Sequence, residues 1–160
     1  MNRLTPFFTI LEECVAFYRE MLNFENVKHR AIVYKDTPQL EAIIKVEQAF
    51  IMRADLLEKK RLSAQAELGS DGFTLLEMAE RLAQEERDRL LAYRKDLLAI
   101  LQDIKEINKK SMQLLDVRLK DSEKRLESSG YIQDMHTYNS TGVAAPRNAG
   151  INKSLLAKSI

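Results

Sequence analysis

The chain has no tryptophan and little cysteine, histidine, proline or glycine: one Cys, two His, three Pro and five Gly in 160 residues. Each shortage removes a class of protein. The lone thiol, Cys14, cannot close an internal disulfide, and it stands at helical spacing among Ile10, Phe17 and Met21, where a buried thiol behaves as a small hydrophobe. A reducing cytoplasm is the compartment this suits. Scarce glycine leaves no phosphate-cradling loop, and there is no serine elbow, so nucleophilic and nucleotide-dependent chemistry have no foothold. Glu25 and His29 are four residues apart, not the Glu-x-x-His of helical di-iron sites, and the only other histidine is His136. No catalytic residue, no metal and no cofactor is expected. Lys+Arg (25) and Asp+Glu (24) nearly cancel, which leaves no positive field to attract nucleic acid or an anionic membrane surface. No stretch approaches the ~18 apolar residues of a membrane span, and Asn2, Arg3, Thr5 and Pro6 lead into a segment carrying Glu12 and Glu13, unlike a signal peptide. The expectation is a cytoplasmic protein with no membrane insertion.

What the chain does have is helical periodicity. Apolar residues make up 45% and charged residues 31%, the mixture of helices that bury one stripe and solvate the other. The length suits one domain. Thr5-Pro6 marks a helix start, because proline in the first turn lacks only an N–H that would be unpaired anyway. Along this helix, to about Lys35, Ile10, Cys14, Phe17, Met21 and Phe24 form one stripe, and Leu11, Val15, Tyr18 and Leu22 form a second beside it. Two stripes imply two neighbours. Asp36-Thr37-Pro38 repeats the punctuation, with Thr37 as the expected N-cap. A second helix then runs to about Leu68 and buries Leu40, Ile43, Phe50, Ala54, Leu57 and Ala64. The basic run Lys59-Lys60-Arg61 reads as a solvated face.

Gly69-Ser70-Asp71-Gly72 is a break, and Thr74-Leu75-Leu76-Glu77 spells a capping box that restarts the helix. The polar block Gln84–Arg89 predicts a bend there, followed by a long helix to about Ser128 with the stripe Leu97, Leu98, Leu101, Ile104, Met112, Leu115 and Leu119. The fold expected is all-α: an antiparallel bundle of three long helices plus one short helix, with a flexible C-terminal tail. Phe17, Tyr18, Leu22, Phe50, Leu57, Leu101 and Leu115 are expected in its core. Asn108 and Ser111 fall in or beside the last stripe, where a polar side chain is unfavourable unless hydrogen-bonded. They read either as a register-setting pair inside the bundle or as a break in the core that lets a neighbouring helix open.

Composition changes at Ser128-Ser129-Gly130, dividing a body of residues 1–129 from a tail of residues 130–160 too polar to form a core of its own. The tail nevertheless carries apolar side chains with no evident partner in the body: Tyr131, Ile132, Met135, Tyr138, Ile151, Leu155, Leu156 and Ile160. Such residues are expected to bind a partner from outside.

The chain resembles the FlgN family of flagellar export chaperones, Gram-positive type. The resemblance is carried by the first helix ending Lys28-His29-Arg30-Ala31-Ile32-Val33, the Lys35-Asp36 link before Leu40, Glu47-Gln48, and Leu57-Glu58-x-x-Arg61. Thr74-Leu75 after the Gly69 turn, Ile107-Asn108, Leu114-Leu115, Leu119 and the tail's Tyr138-Asn139-x-x-Gly142 extend it. Where members commonly have a second asparagine three positions after Asn108, this chain has Ser111. The resemblance implies a non-enzymatic chaperone that shields an amphipathic terminal helix of hook-associated junction proteins, prevents their premature assembly and delivers them to the cytoplasmic domain of the flagellar export gate. The alternative, from the residues alone, is a structural or adaptor coiled-coil protein with no client.

Overall fold

The computed structural model describes residues 3–130 and residue 160. Its four helices are α1 (Thr5–Val33), α2 (Thr37–Glu67), α3 (Leu75–Ala79) and α4 (Gln84–Ser128), and there is no strand among the described residues. Three long helices and one short one are the all-α architecture expected.

Local chemistry explains the breaks. Pro6 stands in the first turn of α1. The helix ends two residues before the expected Lys35, because Lys35 itself is left-handed (φ 56°). Its N–H bonds to the carbonyl of Ile32 (3.2 Å) and that of Asp36 to Ala31 (3.0 Å), the paired closure that usually employs glycine. The cap of α2 is Asp36, not Thr37: its carboxylate accepts the N–H of Gln39 at 3.1 Å. A carboxylate at this position also favours the positive end of the helix dipole. Gly69 (φ 72°) closes α2 in the same paired manner, with Gly69 N–H to Ala66 and Ser70 N–H to Gln65. The Thr74/Glu77 capping box forms in full. The expected bend near Gln84 is the gap between α3 and α4, so the polar block opens α4 and does not interrupt a helix.

α1 is the central helix, with α2 and α4 both packed along it. Cross-helix pairs fix the directions. Lys28–Glu47, Glu20–Arg53 and Glu13–Lys60 make α1 and α2 antiparallel, whereas Glu12–Arg89, Arg19–Asp96 and His29–Ser111 make α1 and α4 parallel. The main core gathers Phe7, Leu11, Cys14, Phe17, Tyr18 and Met21 of α1 against Phe50 and Ala54 of α2, Leu75 and Met78 of α3, and Leu90, Leu97 and Ile104 of α4. Leu22, Leu57 and Leu101 are half-buried against it, as members of the expected core. Leu115 is not: it is 41% exposed, and Met112 and Leu119 of the same stripe are exposed too. α1 ends beside this part of α4, and α2 packs along α1.

Arg61 also departs from expectation. It is buried, not on a solvated face, with Nε and Nη2 donating to the two carboxylate oxygens of Glu58 (2.9 and 2.7 Å) and Nη1 to Gln65 Oε1 (3.0 Å). Gln65, equally buried, donates hydrogen bonds from its side-chain amide to the carbonyls of Ser70 and Phe73. The motif Leu57-Glu58-x-x-Arg61 therefore ties the α2–α3 loop to the end of α2.

Candidate functional site

A polar layer crosses the bundle beyond the main core. Glu25, 2% exposed, faces Lys28 at 2.9 Å, an ion pair whose alignment falls short of a hydrogen bond, and Lys28 donates to Glu47 of α2 at 2.6 Å. Burial opposes the charge on Lys28, but its hydrogen bond to Glu47 and its ion pair with Glu25 outweigh that and hold its pKa above the ordinary lysine value. One turn on, His29 Nδ1 and Ser111 Oγ of α4 lie 2.9 Å apart. Ser111 is fully buried and Asn108 half-buried. The polar residue of α4 thus finds its partner on α1. His29 is half-buried at this contact. Farther out, Arg118 of α4 donates to the carbonyls of Ile32 and Val33, satisfying the end of α1.

Past this layer the apolar balance inverts. Ala31, Ile32 and Ile43 are buried there, apart from the main core. Around them collect eight of the twelve large apolar side chains that are exposed among the described residues: Val33 and Tyr34 at the end of α1, Ile44 and Val46 on α2, Met112, Leu115, Val117 and Leu119 on α4. α4 runs on past Arg118 to Ser128, about 15 Å at the helical rise. Apolar side chains at this density on one end of a helical body are the usual mark of a protein-binding surface. An opening of about 460 Å³ lies between α1 and α2 over Phe17, Leu56 and Leu57. The pairs Glu13–Lys60 (2.6 Å) and Glu20–Arg53 (3.3 Å) span it.

Of the tail residues expected to bind a partner, Tyr131, Ile132, Met135, Tyr138, Ile151, Leu155 and Leu156 lie outside the described residues. Ile160 does not. It is 5% exposed and belongs to the main core, and its carbonyl accepts a hydrogen bond from Arg94 Nε of α4 at 2.9 Å. The expectation that it has no partner in the body is corrected by this contact.

Two titratable groups of α1 are shifted by their surroundings. Burial pushes the Cys14 thiol up to about 12, the opposite of what a nucleophilic thiolate needs. Glu12 is held below the usual carboxylate range by hydrogen bonds from Tyr93 and Arg89, a surface cluster that fixes the register of α1 on α4. Sequence reasoning missed the Glu25–Lys28–Glu47 group, whose only signal is an acid at a position adjoining the apolar stripe of α1. It also missed the exposed distal cluster, because apolar spacing on α4 reads as core whether or not a neighbour reaches it.

Among the described residues the body is all-helical and its distal end exposes apolar side chains, the kind of surface on which helical proteins bind other polypeptides. The family model FlgN, "FlgN protein", matches residues 1–146, and the chain belongs to the FlgN family of flagellar export chaperones. No curated protein and no solved structure matches the chain. Members of the family are non-enzymatic chaperones. Among the described residues no helix is long and apolar enough to cross a membrane.

Proposed function

We propose that the protein is a cytoplasmic export chaperone for hook-associated, hook–filament junction proteins of the flagellum. It holds an amphipathic terminal helix of the client, prevents premature assembly, and hands the client to the cytoplasmic domain of the type III export gate. The observation that carries this reading is membership of the FlgN family over residues 1–146. The exposed distal end supports it, because a helix with an apolar face needs a groove or stripe of this kind to lie against. The tail of residues 130–160 supplies further contacts through Tyr131, Ile132, Met135, Tyr138, Ile151, Leu155, Leu156 and Ile160. Ordering of a polar segment on the client subtracts from the affinity those side chains provide, which leaves the complex reversible enough for handover.

The test is capture of the client from the source cytoplasm by the tagged full chain, followed by calorimetry with the purified junction protein. A chain ending at residue 129 should lose most of its affinity, and its melting temperature should fall by no more than the loss of the buried Ile160 side chain and its bond to Arg94 accounts for. Full affinity in the shortened chain would place the binding surface on the helices alone. Capture of no flagellar protein would overturn the reading.

A further inference from the structure

The contact between Ile160 and Arg94 places one of the proposed client-binding side chains inside the chaperone's own body. Ile160 is buried in the main core, among side chains drawn from α1, α2, α3 and α4, and its carbonyl is held by the Arg94 guanidinium. Both halves of the contact are specific. The side chain is shielded from water as fully as Phe50 or Ile100, and the carbonyl meets a charged donor, the stronger class of hydrogen bond. α4 carries Arg94 near its start and ends at Ser128, so Arg94 and Gly130 are about 50 Å apart at the helical rise. Thirty residues of chain, fully extended, span up to about twice that distance, so the sequence length permits the contact.

We infer that the Ile160–Arg94 contact is autoinhibitory: body and client compete for the same residue, and a client gains Ile160 only by withdrawing it from Arg94. This inference rests on the proposed chaperone function and adds a regulatory step to it. A chaperone that keeps an apolar anchor covered until a client arrives avoids offering it to other helices in the cytoplasm. The consequence is quantitative. When nine molecules in ten are docked, the apparent affinity for client falls about tenfold below the intrinsic value, because only the undocked fraction is competent. Removing the donor on α4 restores that factor without touching the client-binding residue.

The experiment uses the full chain and the variant Arg94→Met, which keeps the aliphatic stem and removes the donor, with Arg94→Lys as a second variant that keeps the charge. Melting curves confirm that each variant folds. Isoleucine-methyl NMR, with Ile160 assigned by Ile160→Val, reads docking directly. The Ile160 methyl should be displaced from its random-coil position in the unaltered chain and move toward it in Arg94→Met. A random-coil position in the unaltered chain overturns the inference. Calorimetric titration with a synthetic peptide of the junction protein's amphipathic terminal helix then reads competition. Arg94→Met should bind about three- to tenfold tighter, with Arg94→Lys between it and the unaltered chain. Equal or weaker binding by Arg94→Met overturns the inference while leaving the chaperone reading in place. Failure of all three proteins to bind the peptide, with the captured junction protein also failing, overturns the chaperone reading and the inference with it.

Discussion

Replacing Phe50 by alanine tests the packing of α2 on α1 at its most consequential point. The ring is 7% exposed, 4.7 Å from the centroid of Phe24 and 6.0 Å from that of Phe17. Truncating a buried phenylalanine removes its transfer energy and leaves a cavity, together about 3–5 kcal/mol. Two considerations set the value within that range. The aromatic partners add about 0.5–1.5 kcal/mol per pair beyond area, which raises it. Arg53, whose guanidinium lies 5.6 Å from the ring centroid and is itself half exposed, can settle into the space, which lowers it. The expected loss is therefore about 3 kcal/mol, or roughly 6–12 °C in melting temperature for a chain of this size. Urea unfolding followed by far-ultraviolet circular dichroism measures it, and Phe24→Ala with Phe50→Ala gives the coupling. A loss below about 1 kcal/mol would mean that α2 does not pack on α1 through this ring. Full additivity of the pair would refute the aromatic contact.

Arg61→Ala should be more disruptive than any lysine-to-alanine change in the Lys59-Lys60-Arg61 run, by about 3–5 kcal/mol, because it strands Glu58 and Gln65; Arg61→Met should recover part of the loss in the same urea titration. Ser111→Ala should cost about 1 kcal/mol through the lost hydrogen bond to His29, with an unchanged circular dichroism spectrum. Cys14 should resist iodoacetamide in the folded protein at pH 8 and react on unfolding, as mass spectrometry will show. Because its pKa is raised from 9.0 to about 12, the unfolded chain loses this proton first. Its contribution to stability is complete below about pH 9 and is lost as pH rises toward 12, an interval that Cys14→Ser or Cys14→Ala should flatten.

The helix starts were legible because their causes are local. Pro6, Pro38 and the Thr74/Glu77 box act within one turn, and each start lies within a residue or two of where these residues place it. Gly69 likewise announces the end of α2. The end of α1 was less legible because a lysine, not a glycine, takes the left-handed position there. Tertiary facts were legible only where periodicity and packing agree, as for Phe17, Tyr18 and Phe50. Leu115 shows the limit: spacing marks a stripe, but whether a neighbouring helix lies against it depends on how far α1 and α2 reach. Arg61 shows the same limit from the polar side. A charge run looks solvated until an acid three residues back and a glutamine four residues on enclose one member of it. For the candidate site, the sequence singled out Ser111 but not His29 as its partner, and listed Ile160 without indicating Arg94.

The uneven distribution of apolar contacts makes a further prediction about motion. The main core and the distal end are joined across Glu25, Lys28, His29, Glu47 and Ser111, groups held by hydrogen bonds and charge rather than interdigitated apolar side chains. Beyond them α4 keeps its internal ladder but exposes Met112, Leu115, Val117 and Leu119. A helix held mainly by its own backbone bonds is marginal in water, since most helical stability in proteins comes from packing of an apolar face. Opening of residues 112–128 should therefore require far less free energy than opening of residues 90–104, where Leu90, Leu97 and Ile104 are buried. Hydrogen–deuterium exchange read by mass spectrometry will show this as protection at least about 100-fold lower in peptides from the distal half of α4. A client helix laid along the exposed stripe should raise distal protection selectively, with no rise at residues 90–104, from which the client withdraws Ile160. Equal protection along α4 in the free protein would mean that the polar layer does not divide the body. Rising protection confined to the proximal half on client binding would mean that the client lies elsewhere.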